Sequence, residues 1–212
     1  MPSPRQNQVL AFGLLRAVTV LVLAILAFIL LFIFVKGIGT AIQPDFLTDY
    51  PRDGMREGGI FPAIVGTLVL TLLSIAACSL VGIPAGIYLS EYVPKSRFKS
   101  LIDIMTNNLA GIPSIVFGLF GMTLFVVGLG FGDSLLAGSL TLAIMVLPVV
   151  IRTTEESLRS VPQDIRIASI GMGATQYQTI VRVVLPAALP RILTGIILAI
   201  GRVAGETAPI LF

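Results

Sequence analysis

The stretch AVTVLVLAILAFILLFIFV, residues 17–35, decides the class of fold to which this chain belongs. Its one polar residue is Thr19, and it contains no charged residue. Since about 20 consecutive apolar residues in a helix span a bilayer core, the stretch predicts a transmembrane helix. It is too long for the apolar core of a signal peptide, and no small-residue cleavage site precedes Lys36.

The composition of the whole chain also indicates a membrane protein. Of its 212 residues, 56% are hydrophobic and only 12% are charged, whereas a soluble domain has about 25% charged residues. The mean hydropathy is +1.00. Cys78 is the single cysteine, so no internal disulfide is possible. The net charge of +3 is dispersed over loops, and this excludes a basic stripe that would bind nucleic acid.

Four further apolar segments follow the first one, and glycine and proline recur inside them. These residues are typical of the broken helices of transporters, although ordinary bundle packing explains any single one. We predict an all-α, polytopic membrane protein with about five transmembrane helices, at Ala17–Val35, Ile60–Leu89, Leu109–Leu129, Ser134–Ile151 and Ile192–Phe212.

The distribution of lysine and arginine predicts the orientation of these helices. Alternate loops hold ten basic residues on the N-terminal side and three on the other side. Because positive loops stay in the cytoplasm, we expect a cytoplasmic N-terminus in a bacterial or archaeal cell membrane. The long loop 152–191 then lies in the cytoplasm, on the side where soluble partners can dock.

Loop 152–191 has the composition of short helices rather than of disorder. Thr153-x-x-Glu156, Ser160-x-x-Gln163 and Thr175-x-x-Gln178 each match the capping box that begins a helix. Gly171 and Gly173 are expected to end the second short helix, and Pro186 and Pro190 to end the third. Short amphipathic helices under a membrane domain indicate a docking surface, or else a loop packed only against its own transmembrane helices.

Sequence motifs for catalysis are missing. The chain has no histidine, no H-E-x-x-H motif and no G-x-S-x-G motif. It also lacks the G-x-x-x-x-G-K-[ST] phosphate loop. We therefore expect no enzymatic activity, no catalytic residue, no cofactor and no metal site. Active transport would need another subunit or an ion gradient as its energy source.

Two charges stand inside the last apolar segment, GRVAGETAPILF at residues 201–212. A charge at membrane depth costs several kcal/mol and usually faces a bundle interior or a water-filled cavity. Arg202 and Glu206 are four residues apart, so on a helix they share one face. They form either an ion pair that locks the helix to a neighbour or a polar patch on a substrate path. Arg152 belongs to the same path or snorkels to the membrane surface.

A guanidinium suits an oxyanion because its planar fork matches two oxygen atoms at once. A carboxylate beside it is useful when the substrate keeps a proton. Phosphate near neutral pH still carries an O–H group, whereas sulfate does not. The spacing of Arg202 and Glu206 therefore supports the hypothesis of a phosphate path.

Six ordered segments, together covering the chain from about residue 58 to its end, resemble the A-type permeases of the phosphate-specific ABC transport system. Within them, Ala168-Ser-x-x-x-Gly173 followed by Val183-x-Leu185-Pro186 resembles the loop by which ABC-importer permeases dock on their ATPase. The segments are GGIFPAIVGTL (58–68), YLSEY (88–92), LAGIPSIVFGLFG (109–121), LPVVIRTTEESLRSVP (147–162), GATQYQTIVRVVLPAALP (173–190) and GRVAGETAPILF (201–212).

This resemblance implies a fold, partners and site residues. The fold would be the MetI-like helical bundle of ABC-importer permeases. The partners would be a related C-type permease, two copies of a cytoplasmic ATPase, an external phosphate-binding protein and membrane lipid. Arg202, Glu206 and Arg152 would lie on the phosphate path. The residues that couple the chain to the ATPase would be Ala168, Gly173, Leu185 and Pro186.

The chain departs from the family pattern in two respects. Ile167 replaces the leading glutamate of the docking loop and Ser169 replaces its second alanine. The family continues into a sixth transmembrane helix, so we expect this chain to be a fragment. We divide it into residues 1–57, with the first helix and an external loop, and a permease domain at 58–212. A permease for sulfate or molybdate, and an anion channel or secondary transporter, remain as alternatives.

Overall fold

The computed structural model describes residues 4–94 and 96–210, and these are mainly helical. A π-helical turn at Met122–Gly128 continues α5, and another at Ile180–Val184 joins α8 to α9. Short 3-10 turns lie at Asp53–Met55 and Ala208–Ile210. The α-helices are α1 (Pro4–Ala41), α2 (Pro44–Thr48), α3 (Phe61–Glu91), α4 (Arg97–Ala110), α5 (Ser114–Gly121), α6 (Leu135–Arg159), α7 (Gln163–Gly171), α8 (Gln176–Thr179) and α9 (Leu185–Ala204).

The contacts divide the chain into two units, Met1–Ile64 and Val65–Phe212. The first unit contains α1, whose described side chains are exposed all around the helix. A helix that is apolar on every side suits a lipid environment. In the segment after α1, the rings of Tyr50 and Phe61 meet edge to face at 5.8 Å.

Four helices in the described residues are long and apolar enough to cross a membrane: Ala11–Ala41, Phe61–Glu91, Leu135–Arg159 and Gln176–Ala204. The first two agree with the spans predicted at Ala17–Val35 and Ile60–Leu89. A bent pair, Arg97–Ala110 with Ser114–Gly128, makes a fifth span if the two parts are counted together. The expected number of about five spans agrees with this upper count.

The third span, predicted near Leu109–Leu129, contains the helix Ser114–Gly128, but the chain is broken just before that helix. The chain turns by 94° between α4 and α5. Gly111 follows the last residue of α4, and Pro113 directly precedes α5. Proline disfavours helical geometry in the residue before it, and glycine has a low helix propensity, so Gly111-Ile112-Pro113 breaks the helix. Hydropathy alone does not register this break.

The fourth span continues beyond its predicted end at Ile151, because α6 runs to Arg159. The expected helix start at Thr153 is therefore wrong, and the Thr153 hydroxyl donates to the carbonyl oxygen of Val150 within α6. The start expected at Ser160 is also wrong, since Ser160 ends α6. The capping box at Thr175 and Gln178 is confirmed, with both reciprocal hydrogen bonds present.

The fifth span begins and ends earlier than Ile192–Phe212. Helix α9 starts at Leu185 and ends at Ala204, and Phe212 lies outside the described residues. The expectation that Pro186 and Pro190 end a short helix is wrong, because α9 continues through both. Pro186 falls in the first turn, where a missing N–H is tolerated. The predicted end of the second short helix is confirmed, since α7 ends at Gly171.

Helix α6 is the centre of the second unit. One apolar cluster packs α6 against α3, α5 and α9, and another packs its C-terminal end against the start of α9. The first consists of Cys78, Phe117, Leu142, Ala143, Met145, Val146, Val150, Ala199 and Val203. The second consists of Leu158, Val161, Val184, Ala188 and Ile192.

Glycines on α3 and α9 allow close contact with α6. A Cβ atom on Gly86 would lie 2.7 Å from Thr154 Cβ and 2.8 Å from the carbonyl oxygen of Ile151. A Cβ atom on Gly195 would lie 2.5 Å from Thr153 Oγ1. The segment of α6 that follows Arg152 is therefore held between the two neighbouring helices.

Replacing Gly86 by alanine should lower the thermal unfolding midpoint in detergent. The added methyl group overpacks the α3–α6 contact, which costs about 1–3 kcal/mol. The matched control is Gly66→Ala on the same helix, since a Cβ atom there meets nothing within 4 Å. We expect the unfolding midpoint of the control not to fall, because alanine has a higher helix propensity than glycine. Equal midpoints for the two variants would contradict the packing.

Candidate functional site

Arg202 and Glu206 lie on the two sides of the end of α9. The helix ends at Ala204, and the amides of Gly205 and Glu206 donate to the carbonyl oxygens of Arg202 and Val203. The expectation that Arg202 and Glu206 share one helix face is therefore wrong, because Glu206 is outside the helix. The low helix propensity of Gly205 accounts for the early end. The two side chains still meet, with Arg202 Nε 3.8 Å from Glu206 Oε1.

This ion pair is loose and partly accessible. The accessible fraction of the side chain is 36% for Arg202 and 19% for Glu206. Within residues 4–94 and 96–210, no hydrogen bond to the Arg202 guanidinium is seen. Its N–H groups can therefore bind an anion without first breaking a hydrogen bond within these residues, although Glu206 stays close by.

Glu206 lines a cavity of about 350 Å³ in the second unit. Thr67 and Thr71, one helical turn apart on α3, are among the residues that line it, and Thr207 is a third threonine in the lining. The sequence interpretation missed these threonines. The T-x-x-x-T spacing in a segment without charges was the available signal, because it puts two hydroxyl groups on one helix face. The remaining lining is apolar: Leu70, Leu142, Val203, Ala204 and Ile210.

Arg152 lies among three carboxylates. Its Nε atom is 2.9 Å from Glu156 Oε1. Its Nη1 atom is 3.8 Å from Asp103 Oδ1 and 3.9 Å from Glu155 Oε2. The guanidinium is thus engaged by protein acids, and an anion that bound it would have to displace at least one of them.

A buried lysine completes this charge cluster. Lys99 is only 3% exposed, and its Nζ atom lies 2.7 Å from Glu155 Oε1 and 2.5 Å from Asp103 Oδ1. Arg159 Nη2 lies 2.7 Å from the same Glu155 oxygen. Three cations therefore face three carboxylates, so the formal charges of the cluster balance around its two buried members, Lys99 and Glu155. We call Lys99, Asp103, Arg152, Glu155, Glu156 and Arg159 the α4–α6 charge cluster.

The residues predicted on one substrate path lie in two places. Arg202 and Glu206 meet each other beside the cavity, whereas Arg152 belongs to the α4–α6 charge cluster. No ion pair or hydrogen bond joins Arg152 to either of them in the part of the chain that the structure describes.

The four residues predicted to couple the chain to an ATPase follow one another along loop 152–191. Ala168 is exposed on α7, and Gly173 comes just after that helix. Gly173 has a φ of +89°, which disfavours any residue with a side chain. Leu185 is half-buried and Pro186 is exposed, both in the first turn of α9.

The loop exposes large apolar side chains around these positions. Ile167, Ile170, Met172 and Tyr177 are exposed, and we call these four residues the docking surface. Met172 is the extreme case, with 90% of the residue accessible. Exposed apolar patches outside a membrane indicate a protein contact. The surface includes Ile167, at the position where the docking loop that it resembles has a glutamate.

Residues 82–212 match the family described as binding-protein-dependent transport system inner membrane component. The chain is also similar to the inward-facing MetNI methionine ABC transporter, with 25% identity and a TM-score of 0.62, over 67% of this chain and 68% of that chain. This likeness agrees with the predicted MetI-like bundle of α-helices.

Curated relatives are similar over a larger share of this chain. The probable ABC transporter permease protein YqgI of Bacillus subtilis is 33% identical, over 96% of this chain and 69% of that protein. The phosphate transport system permease protein PstA of Xylella fastidiosa (strain Temecula1) is 41% identical, over 84% of this chain and 61% of that protein. PstA of Mycobacterium leprae is 39% identical, over 88% of this chain and 62% of that protein. The matches thus span about two thirds of the length of these relatives.

Proposed function

Because the chain belongs to the family of binding-protein-dependent transport system inner membrane components, we propose that it is the permease subunit of an ATP-driven importer of inorganic phosphate. The observation that carries the proposal is the partly accessible Arg202–Glu206 pair, whose glutamate lines a mainly apolar cavity that also includes three threonines. The similarity to phosphate transport system permease proteins supports phosphate as the substrate.

The cavity residues Glu206, Thr71 and Thr207, together with Arg202, which is ion-paired with Glu206, offer each kind of group that a hydrogen phosphate ion requires. The Arg202 guanidinium donates to two phosphate oxygens at once. The Glu206 carboxylate accepts a hydrogen bond from the phosphate O–H group. The threonine hydroxyls of the lining both donate and accept, and so can replace water around the remaining oxygens. A fully deprotonated sulfate ion has no proton for Glu206 and would be repelled by it.

Replacing Glu206 by glutamine should narrow the preference for phosphate over sulfate. The amide keeps the shape of the side chain but removes the charge that repels sulfate. We expect phosphate uptake to fall and sulfate uptake to rise, which shifts the ratio about tenfold for a difference of roughly 1.4 kcal/mol. The measurement is uptake of each labelled anion into vesicles. An unchanged ratio would remove Glu206 from the selectivity of the path.

The partners follow from the same proposal. The complex contains two copies of a cytoplasmic ATPase, one of which binds the docking surface; a related C-type permease completes the path, and an external phosphate-binding protein delivers the substrate. ATP-driven closure of the ATPases pushes α7 and α8, which tilts the transmembrane helices in an alternating-access cycle. Arg202 and Glu206 then face the two sides of the membrane in turn. This arrangement requires loop 152–191 and the N-terminus to be cytoplasmic.

Replacing Met172 by aspartate should weaken binding of the ATPase. An interface anchor that is buried in a partner contributes about 2 kcal/mol or more, so we expect at least a thirtyfold weaker complex. The measurement is pull-down of the purified ATPase at a series of concentrations. Leu47→Asp on α2 is the matched control, since Leu47 is also exposed but lies outside the loop. Equal binding by both variants would exclude Met172 from the contact, and deletion of the whole loop should abolish binding.

Vanadate separates an ATP-driven importer from a channel or a secondary transporter. The chain is placed in vesicles with its partner permease, the ATPase and the binding protein. We expect phosphate uptake to need ATP and to stop on addition of vanadate. Uptake that continues without ATP would refute the proposal.

A further inference from the structure

Helix α7 turns only two of its residues inward. Arg166 and Ser169 are partly buried, and the other residues of α7 are exposed. The two are three positions apart and so lie on one face of the helix. Because α7 buries no apolar side chain, its attachment to the rest of the second unit depends on what these two polar side chains bond.

Arg166 bonds two helices that contribute to the membrane domain. Its Nη1 atom donates to Glu91 Oε2 at 2.5 Å, and Glu91 is the last residue of α3. Its Nη2 atom donates to the carbonyl oxygen of Leu158 at 2.8 Å, near the end of α6. One rigid guanidinium thus joins α7 to α3 and to α6 at the same time.

The carboxylate at the centre of this contact is itself held in place. The Ser90 hydroxyl donates to Glu91 Oε1 at 3.0 Å, and the Gln176 side chain on α8 donates to the Glu91 carbonyl oxygen at 3.2 Å. Only 7% of the Glu91 side chain is accessible. A buried charge pair with its remaining oxygen satisfied is a stiff contact rather than a surface salt bridge.

Ser169 makes a different kind of contact. Its hydroxyl lies 2.9 Å from the Thr179 hydroxyl at the end of α8. This bond keeps the short helices of the loop together but reaches neither α3 nor α6. Among the described residues, Arg166 therefore makes the side-chain hydrogen bonds that join α7 itself to α3 and α6, while Gln176 joins α8 to α3.

We propose that Arg166 is the positioning residue that transmits movement of α7 to α3 and α6 in the transport cycle. The inference rests on the proposed function, because it assumes that an ATPase pushes α7. Helix α3 runs from Glu91 back to Thr71 in the cavity lining, about 30 Å along its axis. The helix is continuous through Pro84, so a push at Glu91 is passed along it toward the substrate cavity.

The test compares Arg166→Met with Arg97→Met in the complex reconstituted in vesicles. Arg97 is exposed at the start of α4 and makes no ion pair in the described ranges, so its loss removes one charge without removing a contact. Three quantities are measured: ATPase pull-down, ATP hydrolysis stimulated by phosphate-loaded binding protein, and phosphate uptake. We expect Arg166→Met to keep ATPase binding while uptake and stimulated hydrolysis fall about three- to thirtyfold. Arg97→Met should match the unaltered protein.

Stimulated hydrolysis and uptake at the level of the control would overturn the inference. If Arg166→Met also loses ATPase binding, Glu91→Gln decides, since it keeps the guanidinium and its bond to Leu158. The inference is supported if Glu91→Gln binds the ATPase normally but has reduced phosphate uptake and reduced stimulated hydrolysis. It is overturned if uptake and hydrolysis are normal, or if ATPase binding is lost. Failure of the unaltered complex to take up phosphate at all would instead refute the proposed function.

Discussion

Replacing Arg202 by methionine should lower phosphate uptake about ten- to a hundredfold at limiting phosphate. Hydrogen bonds to charged groups contribute about 1.5–3 kcal/mol, and each 1.4 kcal/mol is a factor of ten. The guanidinium makes no hydrogen bond in the described part of the chain, so the substitution breaks only its 3.8 Å ion pair with Glu206 within the protein and removes the donor that we propose binds phosphate. Phosphate uptake by Arg202→Lys should lie between that of the unaltered protein and that of Arg202→Met, because lysine keeps the charge but not the planar fork of hydrogen-bond donors.

The control for Arg202 is Arg16→Met, which removes a charge from an exposed position on α1. Its uptake should equal that of the unaltered protein. Protein amount and ATPase binding are measured in parallel, and both should stay constant in the Arg202 variants. Normal uptake in Arg202→Met would mean that the Arg202–Glu206 pair is a helix anchor and not part of the path.

Replacing Lys99 by methionine should be the most destabilising change in the second unit. The substitution leaves three carboxylates facing two arginines around a residue that is buried in the protein. Breaking a buried ion pair by removing one partner costs about 3–5 kcal/mol. We expect a clearly lower unfolding midpoint in detergent. The exposed Lys36→Met is the matched control and should unfold like the unaltered protein.

A double variant separates charge from packing at the α4–α6 charge cluster. Adding Glu155→Gln to Lys99→Met removes the uncompensated negative charge. The double variant should therefore recover part of the stability that Lys99→Met loses. Equal stability of the single and double variants would show that packing of the lysine chain, and not its charge, is what holds α4 to α6.

Hydropathy predicted the helices but not how they bend or join. A run of apolar residues has the same hydropathy whether it is straight or broken, so the 94° turn at Gly111–Pro113 was missed. The extension of α6 to Arg159 was missed because its polar end resembles a loop in sequence. At that end the buried carboxylate of Glu155 is paired with Lys99 on α4, and this tertiary contact compensates for the polar sequence.

The candidate site was predictable where it depended on neighbours in sequence. The four-residue spacing brought Arg202 and Glu206 together even though α9 ends between them. Lys99, Arg166 and the cavity threonines depend on contacts between distant segments: Lys99 with Glu155, Arg166 with Glu91, and α3 with the end of α9. Such pairs have no local pattern, and only the packing of the helices identifies them.

Uptake of labelled phosphate in competition with unlabelled sulfate tests the central claim most directly. The vesicles hold the chain with its partner permease, ATPase and binding protein, and ATP is supplied throughout. We predict that excess unlabelled phosphate abolishes the signal, whereas the same excess of sulfate leaves it unchanged. Equal inhibition by sulfate, or uptake that does not depend on ATP, would contradict the assignment of an ATP-driven phosphate path to this chain.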